Sequence, residues 1–347
     1  MRGRTAAFMA ASVFTAGVVA ATATAAGGPP PPPNAFNGAK VTLVTQVGSG
    51  LNTPTSFAVG GGNVFEGDGG SESAKIPNGG VFVLKGGGAT AVPNSPQFVA
   101  GLAWKNGTLY VSGGTITQAG PKWQLLAWSG WNGTTFTKRK TIYTAPKAFQ
   151  GFNGIAFGPD GRLYVGVDVG LLNGNDHSPA KTPFVYDILS IKPNGKGLKV
   201  FASGMRQPWQ MVFPKGSSAP LVSDLGQDKG AKNPPDFILK VKQGDNFGFP
   251  TCNQTVASKC KGFAKPFKKF GPHTDIMGMT IIGKTLYMTS FLGQDGKGGE
   301  ILSMPLKGGP VKVVTELVGG IPNVGLGQSG NSLYLGVLTG QVYKVTP

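Results

Sequence analysis

Few residues in this chain are of the types that do chemistry, and their placement narrows what chemistry is open to it. Only two histidines occur, His177 in "NGNDHSPAK" and His273 in "GPHTDIMG", and as a metal pair only their order in the sequence connects them. The most acidic and irregular stretch is "SDLGQDKGAKNPPDF" (223–237). There Asp224, Gly226, Asp228 and Asp236 offer the carboxylate and carbonyl oxygens that calcium takes. Asx-type turns capping a long loop account for the same residues more simply. Just upstream, "RQPWQ" supplies Arg206, a fixed cation able to hold an anionic ligand through paired hydrogen bonds. Beside it stand Gln207 and Trp209, whose ring can face a sugar or fill a core. Cys252 and Cys260 are the only cysteines. Two thiols with no nearby histidine leave a zinc shell half empty, whereas in an oxidising compartment they pair and close a short loop.

The compartment is read from the N-terminus. Arg2 and Arg4 precede an apolar, acid-free run from Ala6 to Ala20 and then "ATATAA", the pattern of a secretory signal over residues 1–26. The run is short for a bilayer span, and nothing later is longer, so the expectation is an exported, soluble chain. "GGPPPPPNAFNG" (27–38) reads as an extended Gly/Pro-rich linker. The formal charge is +17, or +15 without Arg2 and Arg4. Export and the scatter of the lysines argue against a nucleic-acid partner. The densest cluster is "SKCKGFAKPFKKF" (258–270). It reads either as a solvated insertion whose phenylalanines pack on the body, or as a contact for acidic envelope polymers.

The elements that carry these residues repeat. The chain has 57 Gly and 27 Pro but only 14% charged residues, a composition of many short strands and turns. A template of an apolar pair, a turn and a Leu-Tyr-like pair fits "SFAVGGGNVFEG" (56–67), "GLAWKNGTLYVSG" (101–113) and "GIAFGPDGRLYVG" (154–166). It fits again at "QMVFPKGSSAPLVSD" (210–224), "GMTIIGKTLYMTS" (278–290) and "VGLGQSGNSLYLG" (324–336). Each copy carries the hairpin signal, and further apolar runs such as "GVFVLKGGG" and "EILSMPLKGG" lie between copies. Six units of four strands predict an all-β, six-bladed β-propeller over residues 39–347. "AKVTLVTQV" (39–47) is expected to join the blade ended by "GQVYKVTP" and so close the ring. Function should then gather in the loops that enter each blade, namely "PKAFQGFNG", "ASGMRQPWQ", "FGPHTDIMG" and "VGGIPNVG".

From about residue 99 onward, "VFASGMRQPWQMVF", "SDLGQD", "NPPDFILKVKQGDNFGFPTC", "FGPHTDIMGM" and "YLGVLTGQVYKV" run in an order that resembles the glucose/sorbosone dehydrogenase family. Catalytic members use pyrroloquinoline quinone (PQQ) with calcium. The resemblance implies a cofactor pocket at the channel mouth, lined here by Gln150, Asn153, Arg206, Gln207, Trp209 and His273, with calcium in the loop carrying Asp224, Gly226, Asp228 and Asp236. It also implies a histidine base just before the third hairpin, which accepts the substrate's hydroxyl proton. Gln150 stands at that position, and an amide takes up no proton near neutral pH. Three further departures are Gln207 for an asparagine, Ile321 for an arginine, and Val337-Leu338 for an acidic pair. These losses favour a propeller, expected to be a monomer, that binds a carbohydrate or an acidic cell-envelope ligand without quinone catalysis. The alternative is an active PQQ-dependent oxidoreductase acting on an aldose or related sugar, with another residue as base. A lactonase-type hydrolase would need several channel-facing ligands, and only Asn153 and Asn323 sit at suitable entries.

Overall fold

Turn chemistry and apolar alternation together fix the architecture. The computed structural model describes residues 30–71, 74, 77–169, 182–227, 234–294 and 296–347; the signal read over residues 1–26, His177 and Asp228 lie outside them. Two N-terminal strands, β1 (Asn34–Ala35) and β2 (Lys40–Thr45), precede the first blade. Blade 1 is built from β3 (Pro54–Gly60), β4 (Asn63–Asp68), β5 (Gly80–Lys85) and β6 (Gly88–Ala91). Blade 2 follows with β7 (Phe98–Lys105), β8 (Thr108–Thr117), β9 (Gly120–Trp131) and β10 (Phe136–Thr144). Blade 3 has β11 (Phe152–Phe157), β12 (Leu163–Val167), β13 (Ile188–Ile191) and β14 (Lys199–Ala202). Blade 4 comprises β15 (Pro208–Val212), β16 (Leu221–Asp224), β17 (Phe237–Lys240) and the two-residue β18 (Lys268–Lys269). Blade 5 holds β19 (Ile276–Ile282), β20 (Thr285–Ser290), β21 (Glu300–Pro305) and β22 (Lys312–Glu316). In blade 6, β23 (Asn323–Ser329), β24 (Ser332–Val337) and β25 (Val342–Thr346) are completed by β2, so the expected ring closure is observed, with Lys40 opposite Thr346. The end of the stretch read as a linker is tied down as well, because β1 adds a fifth strand to blade 5 beside β22.

Side chains alternate across each strand, so every blade buries both faces. Leu109 and Val111 of β8 join Phe65 and Val81 in the layer between blades 1 and 2, while Tyr110 between them joins Ile155 and Val165 on the other side. The same rule generates a core at each junction around the ring, ending with Phe57, Phe82 and Val342 between blades 6 and 1.

The innermost strands β3, β7, β11, β15, β19 and β23 each carry a register irregularity at the same place, just after they leave the entry loop. Bulges of this kind bend a strand and re-aim its side chains. Four of the inner strands have a glycine here, and at Gly101, Gly278 and Gly325 neighbouring backbone leaves no room for a side chain. A Cβ on Gly101 would meet the Ile155 nitrogen at 2.8 Å, and one on Gly278 the Leu326 nitrogen at 2.5 Å. Further along, the inner strands surround an open cavity of about 500 Å³ whose walls include Trp104, Phe157, Gln210 and Gln328.

Candidate functional site at the entry-loop end of the channel

Blade 4 anchors the site. The entry loop 205–207 must turn sharply into β15, which leaves backbone N–H groups without strand partners. Asp224, the last residue of β16, takes them: Oδ1 accepts from the Gln207 N–H at 2.7 Å and Oδ2 from the Arg206 N–H at 3.3 Å. Burial raises the Asp224 carboxyl to about 7, against the pull of the Gln207 amide and the Arg206 charge. The Arg206 side chain is 7% exposed, and its Nη1 donates to Gln207 Oε1, Leu225 O and Gly226 O. Asp236 sits between blades 4 and 5, accepting from the Gly226 N–H at 2.6 Å and the Asp275 N–H at 2.9 Å. Burial raises its pKa, while these two N–H groups and the charges of His273 and Arg206 oppose the rise.

These contacts continue around the mouth into blade 3. Gln207 Nε2 donates to Asp168 Oδ2 at 3.2 Å, and the Asp168 N–H donates to Gly151 O next to Gln150. Asn153, at the β11 bulge and 1% exposed, donates through Nδ2 to Pro208 O at 3.1 Å, while its Oδ1 is buried without a partner. Gln150 folds back so that its Nε2 donates to Ala148 O at 2.9 Å. His273 is exposed in the left-handed region at φ 59. Trp209 is 2% exposed and packs with Leu225, Met277, Phe291 and Val324 in an apolar cluster from blades 4 to 6, which accounts for the ring as core.

Two groups at this end were not singled out from the sequence. Asp168 is half-buried beside Gln207, and Asp187, at the start of β13, has its carboxyl raised to about 7 by burial. A third, Glu66 on β4, is fully buried with neither oxygen hydrogen-bonded; burial, and then the nearby Asp68, hold its pKa well above the usual range. The signal for Asp168 was present, because the third repeat ends in "YVGVD" as the first ends in "FEGD".

The residues do not fit PQQ. A tricarboxylate needs free cations, yet Arg206 is tied to backbone carbonyls, Gln150 at the expected base position is an amide, and Asp168 adds like charge. The described members of the calcium set fit that ion no better. Both oxygens of Asp224 and of Asp236 accept backbone N–H groups, and among the described residues no cluster of three or more His, Cys, Asp or Glu is placed to hold a metal ion. The cysteines do pair, Cys252 with Cys260 at a Cα separation of 4.9 Å. Among the described residues no helix is long and apolar enough to cross a membrane.

No family model matches this chain, and no curated protein matches it by sequence. Solved structures match it by shape. A Thermus thermophilus protein assigned as an oxidoreductase (glucose dehydrogenase) superposes with a TM-score of 0.65 at 17% identity, over 89% of this chain and 100% of that one. A second glucose dehydrogenase gives 0.66 at 15% identity, over 88% and 98%. A gluconolactonase of Xanthomonas campestris gives 0.55 at 11% identity, over 93% and 98%. At such identities the likeness establishes the fold: a six-bladed propeller of the glucose dehydrogenase and gluconolactonase kind.

Proposed function

We propose that the chain is an exported, sugar-related propeller that binds a carbohydrate or an acidic cell-envelope ligand at the entry-loop end of its channel and has lost quinone catalysis. One observation carries this reading. Gln150 occupies the place of the expected base, and its amide is turned onto the Ala148 carbonyl. The names of the structural neighbours, glucose dehydrogenase and gluconolactonase, support the sugar class. Hydrogen-bonding groups that remain at the mouth, Asn153, Gln207 and Asp168, suit hydroxyl-rich ligands. A second reading keeps the oxidoreductase. It is favoured by Asp187, whose carbonyl accepts the Val167 N–H next to Asp168 and whose carboxyl burial raises to about 7.

Mixing the purified protein with PQQ and calcium, then following the visible spectrum and dye reduction with a panel of aldoses, separates the two. The binding reading expects no quinone uptake at micromolar cofactor, together with saturable binding of a saccharide by calorimetry. Sugar-dependent dye reduction that Asp187→Asn abolishes overturns it.

A further inference from the structure

The protein sorts its charges by depth. Every described lysine is exposed except Lys105 and Lys268, which are half-buried. Of the described carboxylates only Asp160 is exposed; the others are buried or half-buried. Asp68, Asp224 and Asp236 show why, since their oxygens are occupied by backbone N–H groups. Among the described residues the outward-facing charges are therefore almost all basic, because most of the carboxylates face inward.

That field is densest at the outer edge of blade 4. The chain leaves β17, passes through the Cys252–Cys260 loop and returns as β18, the outermost strand, with Lys268 opposite Ile238 and Lys269 opposite Phe237. The phenylalanines of this segment point inward. Phe270 is 8% exposed in the core between blades 4 and 5, Phe267 packs on the same core, and Phe263 lies against Gly248. Backbone bonds pin the segment as it passes, from Ala264 N to Asn246 O and from Phe267 N to Ile238 O. What remains outside is a ridge of Lys259, Lys261, Lys265 and Lys269, all exposed. Lys268 donates to Gly309 O, which brings exposed Lys307 of blade 5 alongside. Among the described residues none of these ammonium groups pairs with a carboxylate; Lys268 and Lys269 instead donate to backbone carbonyls, which orients them.

We propose that this ridge is a binding surface for a linear acidic polysaccharide, one bearing carboxylate or sulfate along its length. Three observations select that partner. The charges are compact ammonium groups on an anchored backbone, suited to repeated single anions; the forked arginines favoured at phosphodiester sites are absent here, since the described arginines are Arg139, Arg162 and Arg206, none of them on the ridge. On the ridge no aromatic ring is turned outward for a nucleobase to stack on. The charges recur along one segment, Lys259 to Lys269, that ends in the outer strand of blade 4, a succession that suits a chain. It adjoins the mouth through Gln254, whose carbonyl accepts from Lys269 and which lines a pocket together with Arg206 and Gly226.

The test uses the full chain, immobilised polygalacturonate and heparin, and neutral dextran as control. The variant Lys259→Gln/Lys261→Gln/Lys265→Gln/Lys269→Gln is compared with Lys85→Gln/Lys122→Gln/Lys138→Gln/Lys199→Gln, which removes the same charge from exposed positions on blades 1 to 3. The expected result is salt-sensitive binding to the acidic polymers and none to dextran. The ridge variant should lose about tenfold or more in affinity and flatten the slope of log K against log salt by roughly one to three, while the control set loses less than about threefold. All the substituted side chains are exposed, so both variants should keep the wild-type melting temperature. Equal losses in the two sets, no binding at low salt, or a stronger preference for double-stranded DNA or anionic vesicles would each overturn the proposal.

Discussion

Blades 1 and 4 solve the same problem with the same residue, and only one of them looks like a binding site in the sequence. In each blade an aspartate ends the second strand and caps the loop that enters the first. Asp68 takes the Asn52 N–H at 2.7 Å, the Thr53 N–H at 3.0 Å and the Gly70 N–H at 2.7 Å. Asp224 takes two such groups and lies beside both Arg206 and Asp236. The pairings coincide, Pro54 with Asp68 and Pro208 with Asp224. Blade 1 has no family cofactor loop, yet its aspartate does the same work. Asp224 is thus accounted for by architecture, and what sets blade 4 apart is the long disulfide-closed excursion beside it.

Removing the caps breaks the comparison most severely. Asp68→Ala and Asp224→Ala each strand buried N–H groups and are expected to destabilise by about 2–4 kcal/mol in denaturant unfolding. Similar losses confirm one shared role; a small loss at Asp224 alone would return it to ligand chemistry. Next comes the feature blade 1 lacks. Cys252→Ser/Cys260→Ser frees a loop of sequence separation 8 and should lower stability by roughly 2–3 kcal/mol on chain entropy. The smallest effect is the subtlest. Burial raises Asp68 to about 6 and Asp224 to about 7, so in the folded state each holds a proton that the unfolded chain, near 4, has released. The stabilisation from each group is therefore complete below pH ~4 and is lost as pH rises through the folded value. The stability gap between wild type and Asp68→Asn should shrink until about pH 6, and that for Asp224→Asn until about pH 7. Melting curves across roughly pH 4 to 8 give both windows.

Much of the ring was legible because apolar alternation and turn residues act locally. All six hairpins and the disulfide follow from neighbours in sequence, and the closure by residues 40–45 follows from apolar strand-like runs left over at the two ends of the repeats. The mouth was harder to read. Trp209 looks like a sugar platform in "RQPWQ", but the bulge in β15 turns it into the channel core. Asp224 and Asp236 look like metal ligands because a sequence records a carboxylate and not the amide groups it meets. Asp187 gains its raised proton affinity from burial by the surrounding fold, which no local pattern announces. The repeat did hold one unused clue, since "FEGD" and "LVSD" end their copies alike and identify the two caps as one device.

The closing strand has a consequence for how the molecule forms. Thr45 Oγ1 accepts the Val342 N–H at 3.0 Å across a separation of 297 residues. Bringing ends that far apart together costs on the order of 5 kcal/mol in chain entropy. Five blades can assemble from contiguous chain, each on the face of the last, but the sixth must wait for both ends to meet. Ring closure is then the late, slow event of folding, and until it occurs blade 6 presents the open edge of β25 and blade 1 an uncovered apolar face to any other unfinished chain.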